Sequence, residues 1–167
     1  PGVAQGMPIN VLTDTASILY RAELAGVDVP KERWTAISDY ASQFFPNASL
    51  GFIDIHAALA HAMAGNTDAL MRLIENPNPA TGDLVTPVAQ AYRAIAQGNW
   101  ANAVSLLVSA MADHARLGGS RAQRDLLEFS LLGALLKLGK DEEAKRLLML
   151  RRPALAGMQS LHGLSAH

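Results

Sequence analysis

The chain has 167 residues, enough for one domain with a sizeable core. Half of them are apolar and 17% charged, and 14 basic against 15 acidic residues leave a net charge of −1, so no basic concentration marks a nucleic-acid footprint. There is no cysteine, which rules out disulfides, thiolate metal sites and thiol catalysis and makes a cytoplasmic setting the expectation.

Residues 1–12 read as an irregular segment, punctuated by Gly2, Gly6 and Pro8. They lack the charged start and apolar run of a secretory signal, and the first residue is proline, so a processed or partial chain is expected. A first helix is predicted from Thr13 or Asp14 to Ala25, with Ala16, Leu19 and Ala22 on one face and Gly26 as its stop. Pro30 suits the first turn of a second helix. Trp34, Ile37, Ala41 and Phe44 keep the helical period there, and Pro46 ends it. A third helix spans about Leu50 to Ala64. Its apolar stripes, Phe52, Ile55, Leu59 and Met63 on one side and Ile53, Ala57, Ala60 and Ala64 on another, suit a helix packed between neighbours.

A short fourth helix, Thr67 to Glu75, is followed by a loop over Asn76 to Gly82. Thr86-Pro87 reads as the N-cap and first turn of a fifth helix ending at Gly98. Asn99 can cap a sixth, whose buried face is marked by Ala103, Leu106, Ala110 and Leu117. Gly118 and Gly119 suit the left-handed backbone that closes a helix. Ser120 then reads as the next N-cap, with Gln123 three residues on, as in a capping box. The seventh helix is apolar nearly all round and is expected to be the most buried. Its apolar run, Leu126 to Leu138, is too short for a bilayer and holds Glu128 and Lys137. Gly139 ends it, an eighth helix runs from Asp141 towards Pro153, and residues 154–167 read as a weakly ordered tail. No strand alternation competes anywhere.

Three glycines share a frame. Aligned on Gly65, Gly98 and Gly139, the fifth residue on is Leu70, Ala103 and Ala144; the eighth is Leu73, Leu106 and Leu147; four residues before stand His61, Ala94 and Leu135. The intervals are 33 and 41 residues, the first near the period of about 34 for tetratricopeptide repeats. Gly98-Asn99-Trp100, with Ala103 following, is near the turn of such repeats. The predicted fold is therefore all-α: a TPR-like superhelical array of antiparallel helix hairpins, about eight helices over residues 13–153, in which stacking supplies the core.

Three blocks carry a family resemblance. They are residues 15–29 (Thr-Ala-Ser-Ile-Leu-Tyr-Arg-Ala-Glu-Leu-Ala-Gly-Val-Asp-Val) with Arg33-Trp34, residues 52–60 (Phe-Ile-Asp-Ile-His-Ala-Ala-Leu-Ala), and Gly118-Gly119-Ser120-Arg121-Ala122-Gln123-Arg124-Asp125. In that order they resemble the tetratricopeptide repeat protein 38 family, across about residues 13 to 153. The resemblance implies a helical-repeat protein without an established catalytic activity. It also implies that this chain corresponds to the C-terminal part of a longer one.

Few residues suggest chemistry. His56 and His61 are five apart, roughly 140° around a helix, so with Asp54 they do not make a helical metal pair and read as packed or capping residues. His114 reads as a core or groove residue; His162 and His167 lie in the tail. No Gly-x-Ser-x-Gly anchors a hydrolase triad. Arg121 and Arg124 fall at the positive end of a helix dipole, where cations need a reason. Either they take an acidic group from outside, or Arg124 and Asp125 lock the hairpin angle; the second reading is the stronger. Glu142, Glu143, Lys145 and Arg146 read as a solvated face.

The expected role is an interaction scaffold or adaptor with no catalytic activity of its own, no metal and no cofactor, holding a protein or peptide segment in a groove. Arg121 and Arg124 are the first candidates for recognising an acidic partner, with Tyr92 and Trp100 as weaker contacts. No nucleic-acid or membrane partner is expected; homo-oligomerisation is open. The alternatives are an enzyme or small-molecule binder completed by a preceding portion of the protein, and a self-association module.

Overall fold

A computed structural model describes residues 6–119 and 121–151, with the side chains of 121–123 and 151 outside that description. The described residues form eight α-helices and one 3₁₀ turn: α1 Pro8–Leu24, α2 Lys31–Phe44, α3 Gly51–Ala64, α4 Thr67–Glu75, α5 Gly82–Ala96, α6 Trp100–Met111, the 3₁₀ turn His114–Leu117, α7 Arg121–Lys137 and α8 Asp141–Arg151. No strand occurs among them, and none of these helices is long and apolar enough to cross a membrane. Ser120 and residues 154–167, the expected cap and tail, lie outside the described residues.

Three boundaries differ from expectation, each for a local reason. α1 starts at Pro8, not Thr13, so the stretch 1–12 is not irregular throughout. Proline is cheap in a first turn, where its missing N–H has no intrahelical acceptor, and the added turn buries Leu12. α5 starts at Gly82, one turn before Thr86-Pro87, which leaves Pro87 inside the helix. Leu84 and Val85 donate from their backbone N–H groups to the Thr81 carbonyl at 3.0 and 2.9 Å, and both side chains are buried, which offsets the bond Pro87 cannot make. α6 stops at Met111, and Leu117 reaches the core from the separate 3₁₀ turn.

The glycine frame is physical. At Gly65, Gly98 and Gly139 the backbone is left-handed, with φ of 77°, 70° and 69°. Each glycine N–H bonds three residues back, and the next N–H reaches five back: Asn66 to His61 at 2.9 Å, Asn99 to Ala94 at 2.8 Å, Lys140 to Leu135 at 3.0 Å. Gly26 makes the same turn, with Val27 N–H to Ala22 O at 2.9 Å. The described residues thus form four helical hairpins, α1–α2, α3–α4, α5–α6 and α7–α8, built on one turn. The first escapes sequence alignment because its turn carries extra residues through Pro30. Trp34 and Ile37 then take the buried places that Leu70 and Leu73 hold in α4.

The centre of the core is α3, not α7. Eleven of its fourteen residues are buried, and it packs against α1, α2, α4 and α5. Alanines at 57, 58, 60 and 62 bring those neighbours close. Asp54 ties down its entry, accepting from Ser49 N–H at 2.9 and 3.0 Å. Phe44, expected on the buried face of α2, is exposed and stacks on Tyr40, ring centroids 4.4 Å apart. α7 packs against α6 and α8 and also against α1. Tyr20 of α1 meets Tyr92 of α5 edge to face, with centroids 6.1 Å apart. The first and last hairpins are therefore in contact, which an open array, touching only between neighbouring repeats, would not produce.

Candidate functional site

Each hairpin contributes residues beside its glycine turn to one cleft of about 390 Å³. α1 supplies Tyr20 and Glu23, α3 Met63, α5 Ile95, α6 Trp100 and α7 Lys137. Four helices, α1, α3, α5 and α7, thus end at the cleft, and only α6 begins there. Helix C-termini carry partial negative charge, so the four helix ends that line the cleft favour a cation, while the N-termini of α4, α6 and α8, which follow the same glycine turns within a few residues, offset part of that field.

Glu23 sharpens that field. Its carboxylate accepts the Trp34 indole N–H at 2.6 Å. Burial pushes its pKa up; the Trp34 bond pulls it down, and the Asp28 carboxylate pushes it up again. Trp34 is itself buried, which fixes the carboxylate on the cleft wall. Among the described residues Glu23 makes no ion pair, although Lys137 lines the same cleft. Burial also pushes the Tyr20 phenol up, so it stays protonated near neutrality. The cleft thus brings together a carboxylate, an ammonium and two aromatic rings at helix ends.

Two serine–histidine pairs have dyad-like contacts but no access. His56 Nδ1 lies 2.7 Å from the Phe52 carbonyl, which can only accept, so Nδ1 carries the proton and Nε2 accepts from Ser17 Oγ at 3.1 Å. Ser38 Oγ lies 2.8 Å from His61 Nδ1. Both histidines are buried, and burial lowers each pKa to about 4. Their work is to join α1 to α3 and α2 to α3. His114 is half-buried and bonds the Met111 carbonyl at 2.9 Å through Nδ1.

No protein-family model matches the chain, and no solved structure matches it.

The structure separates the residues singled out in the sequence. Trp100 lines the cleft. Tyr92 does not: it is fully buried, so it is a core residue and offers no surface to a partner. Arg124 donates to the Gly119 carbonyl and so ties α7 to the turn before it. That is a brace to the adjacent turn, different from the pairing of Arg124 and Asp125 with neighbouring helices expected above. Gly118 and Gly119 both have positive φ, 78° and 76°, but close the 3₁₀ turn rather than α6. The side chains of Arg121 and Gln123 lie outside the described residues, as does Ser120. Arg124 and Lys137 are thirteen residues apart on α7, about 20 Å along the axis, so the arginine end of this helix is remote from the cleft. The solvated face of α8 is as expected, with Lys140–Glu143 at 3.0 Å and Lys145–Glu142 at 2.7 Å.

Sequence reading missed Glu23 and Lys137. Glu23 stands in the predicted first helix but off its named apolar face, and its only early signal is the spacing to Trp34 across a glycine turn. Lys137 figures in the sequence only as a charge within the apolar run Leu126 to Leu138.

Proposed function

We propose that this chain is a helical-repeat interaction module, TPR-like in plan, that holds a segment of a partner protein in the cleft among its hairpin turns. One observation carries the reading: four hairpins with the same glycine turn deliver residues from beside those turns to one shared cleft. The raised Tyr20 pKa, the closed serine–histidine pairs and the aromatic lining support binding over catalysis. The resemblance to the tetratricopeptide repeat protein 38 family and the cytoplasmic setting belong to the same proposal. The contact between the first and last hairpins supports a concave pocket rather than an extended groove.

The test is peptide display against the intact chain and against Ala96→Trp. Ala96 is exposed and lines the cleft, so a bulky side chain there fills it without entering the core. Peptides enriched on the chain should lose at least tenfold in affinity on the variant. Enriched peptides that bind both equally would show that the cleft is not the site.

A further inference from the structure

We propose that the cleft takes the guanidinium of an arginine on the partner segment, held by the Glu23 carboxylate and stacked on Trp100. The inference rests on the proposed binding role of the cleft and adds the chemistry of the group it selects. Four features of the cleft converge on a cation. Residues at the C-terminal ends of four helices line it, against the N-terminal residue of one. Glu23 is half-buried and reachable, and the Trp34 N–H holds it in place while leaving acceptor capacity unused. Half-buried Trp100 offers a ring to the same space, and an aromatic face attracts cations. Leu24, Met63 and Ile95 make part of the wall apolar, which suits the aliphatic stem of a long side chain.

Arginine fits better than lysine. Its planar, weakly hydrated guanidinium can stack on a ring and hydrogen-bond a carboxylate at once, whereas an ammonium keeps its water more tightly. The desolvation that raises the Glu23 pKa also means that a cation arriving there regains interaction the carboxylate lacks in the empty cleft. Lys137 is the built-in competitor. It is exposed and lines the same cleft, so it weakens the field that an incoming cation meets.

The probes are two blocked tripeptides, acetyl-Leu-Arg-Leu-amide and its neutral counterpart with citrulline for arginine. Binding is measured by calorimetry and by the indole N–H resonance of Trp100. The arginine peptide should bind at least tenfold tighter and shift that resonance. Glu23→Gln, which keeps an acceptor for Trp34, should bring the two peptides to within a factor of two. Lys137→Met should tighten the arginine peptide several-fold and leave the citrulline peptide unchanged. Equal affinity of the two peptides for the unaltered chain would overturn the inference, and so would an arginine preference that survives in Glu23→Gln. If displayed peptides without arginine bind the open cleft and lose affinity on Ala96→Trp, while neither tripeptide binds, the arginine assignment fails and the binding role stands. If Ala96→Trp weakens no displayed peptide, both fail.

Discussion

His56 Nε2 accepts from Ser17 Oγ across 39 residues of chain, and this bond pins α1 to the central helix α3. The ring must be neutral to accept, and burial keeps it so by lowering its pKa to about 4; His61 is held in the same way against Ser38. In the unfolded chain both titrate near 6.5. Protons therefore bind the unfolded state first, and stability that is fully present above about pH 6.5 is lost as pH falls towards 4. Each histidine contributes a loss on the order of 3 kcal/mol over that window. Glu23 and Asp54, whose pKa values are raised by burial, oppose it only where carboxylates begin to protonate. Urea midpoints should hold between pH 7.5 and about 6.5 and then fall steadily to pH 5, and His56→Gln combined with His61→Gln should flatten that slope.

The hairpin turns differ in what hangs on them. Asn99 accepts from the Asn102 N–H at 3.3 Å, a simple N-cap, so Asn99→Ala should cost about 1 kcal/mol. Asn66 caps α4 through Ala69 N–H at 3.2 Å and also donates to Ser38 Oγ at 3.2 Å, next to His61. Asn66→Ala should be the more damaging by chemical denaturation, since it removes a cap and a partner of a buried hydroxyl.

Left-handed backbone at Gly98 penalises any side chain although the space around it is open. Gly98→Ala should destabilise by about 1–2 kcal/mol with no change in the packing of its neighbours. Thermal melts of this variant beside an Ala substitution at a helical site would separate backbone strain from crowding.

Thr13 Oγ1 is buried in α1 with no hydrogen-bond partner among the described residues. Thr13→Val keeps the shape and removes the stranded hydroxyl. It should leave stability unchanged or raise it by up to about 1–2 kcal/mol, in the way that replacing an unsatisfied polar group does. A clear loss by denaturant titration would mean that the hydroxyl has a partner.

Leu106 and Leu107 test the phase of α6. Leu107 is fully enclosed and Leu106 only half-buried. Leu107→Ala should cost about 2–5 kcal/mol and Leu106→Ala distinctly less.

Helices and turns were legible because their signals are local. Asn99 and the glycines after α3, α5 and α7 announce themselves within a few residues, and α4 has the bounds its sequence predicts. Pro87 misled because a local rule for helix starts lost to the burial of Leu84 and Val85, which depends on neighbours far along the chain. Tyr92 misled for the same reason: an aromatic in an amphipathic helix does not say whether Tyr20 will cover it. The cleft was illegible altogether. It is made from the ends of helices distant in sequence, and Glu23 gains meaning only when Trp34 fixes it and Trp100 stands in the same cleft.

The contact between α1 and α7 bears on how the molecule comes apart. A linear stack can lose its outermost unit and stay folded, fraying from an end like a zipper. Here the outer units touch each other, so detaching either strips cover from both Tyr20 and the wall of α7. Denaturation should then be a single event rather than a graded one. Assembly, in turn, must bring residues more than a hundred positions apart together, which places ring closure late and makes it the slow step.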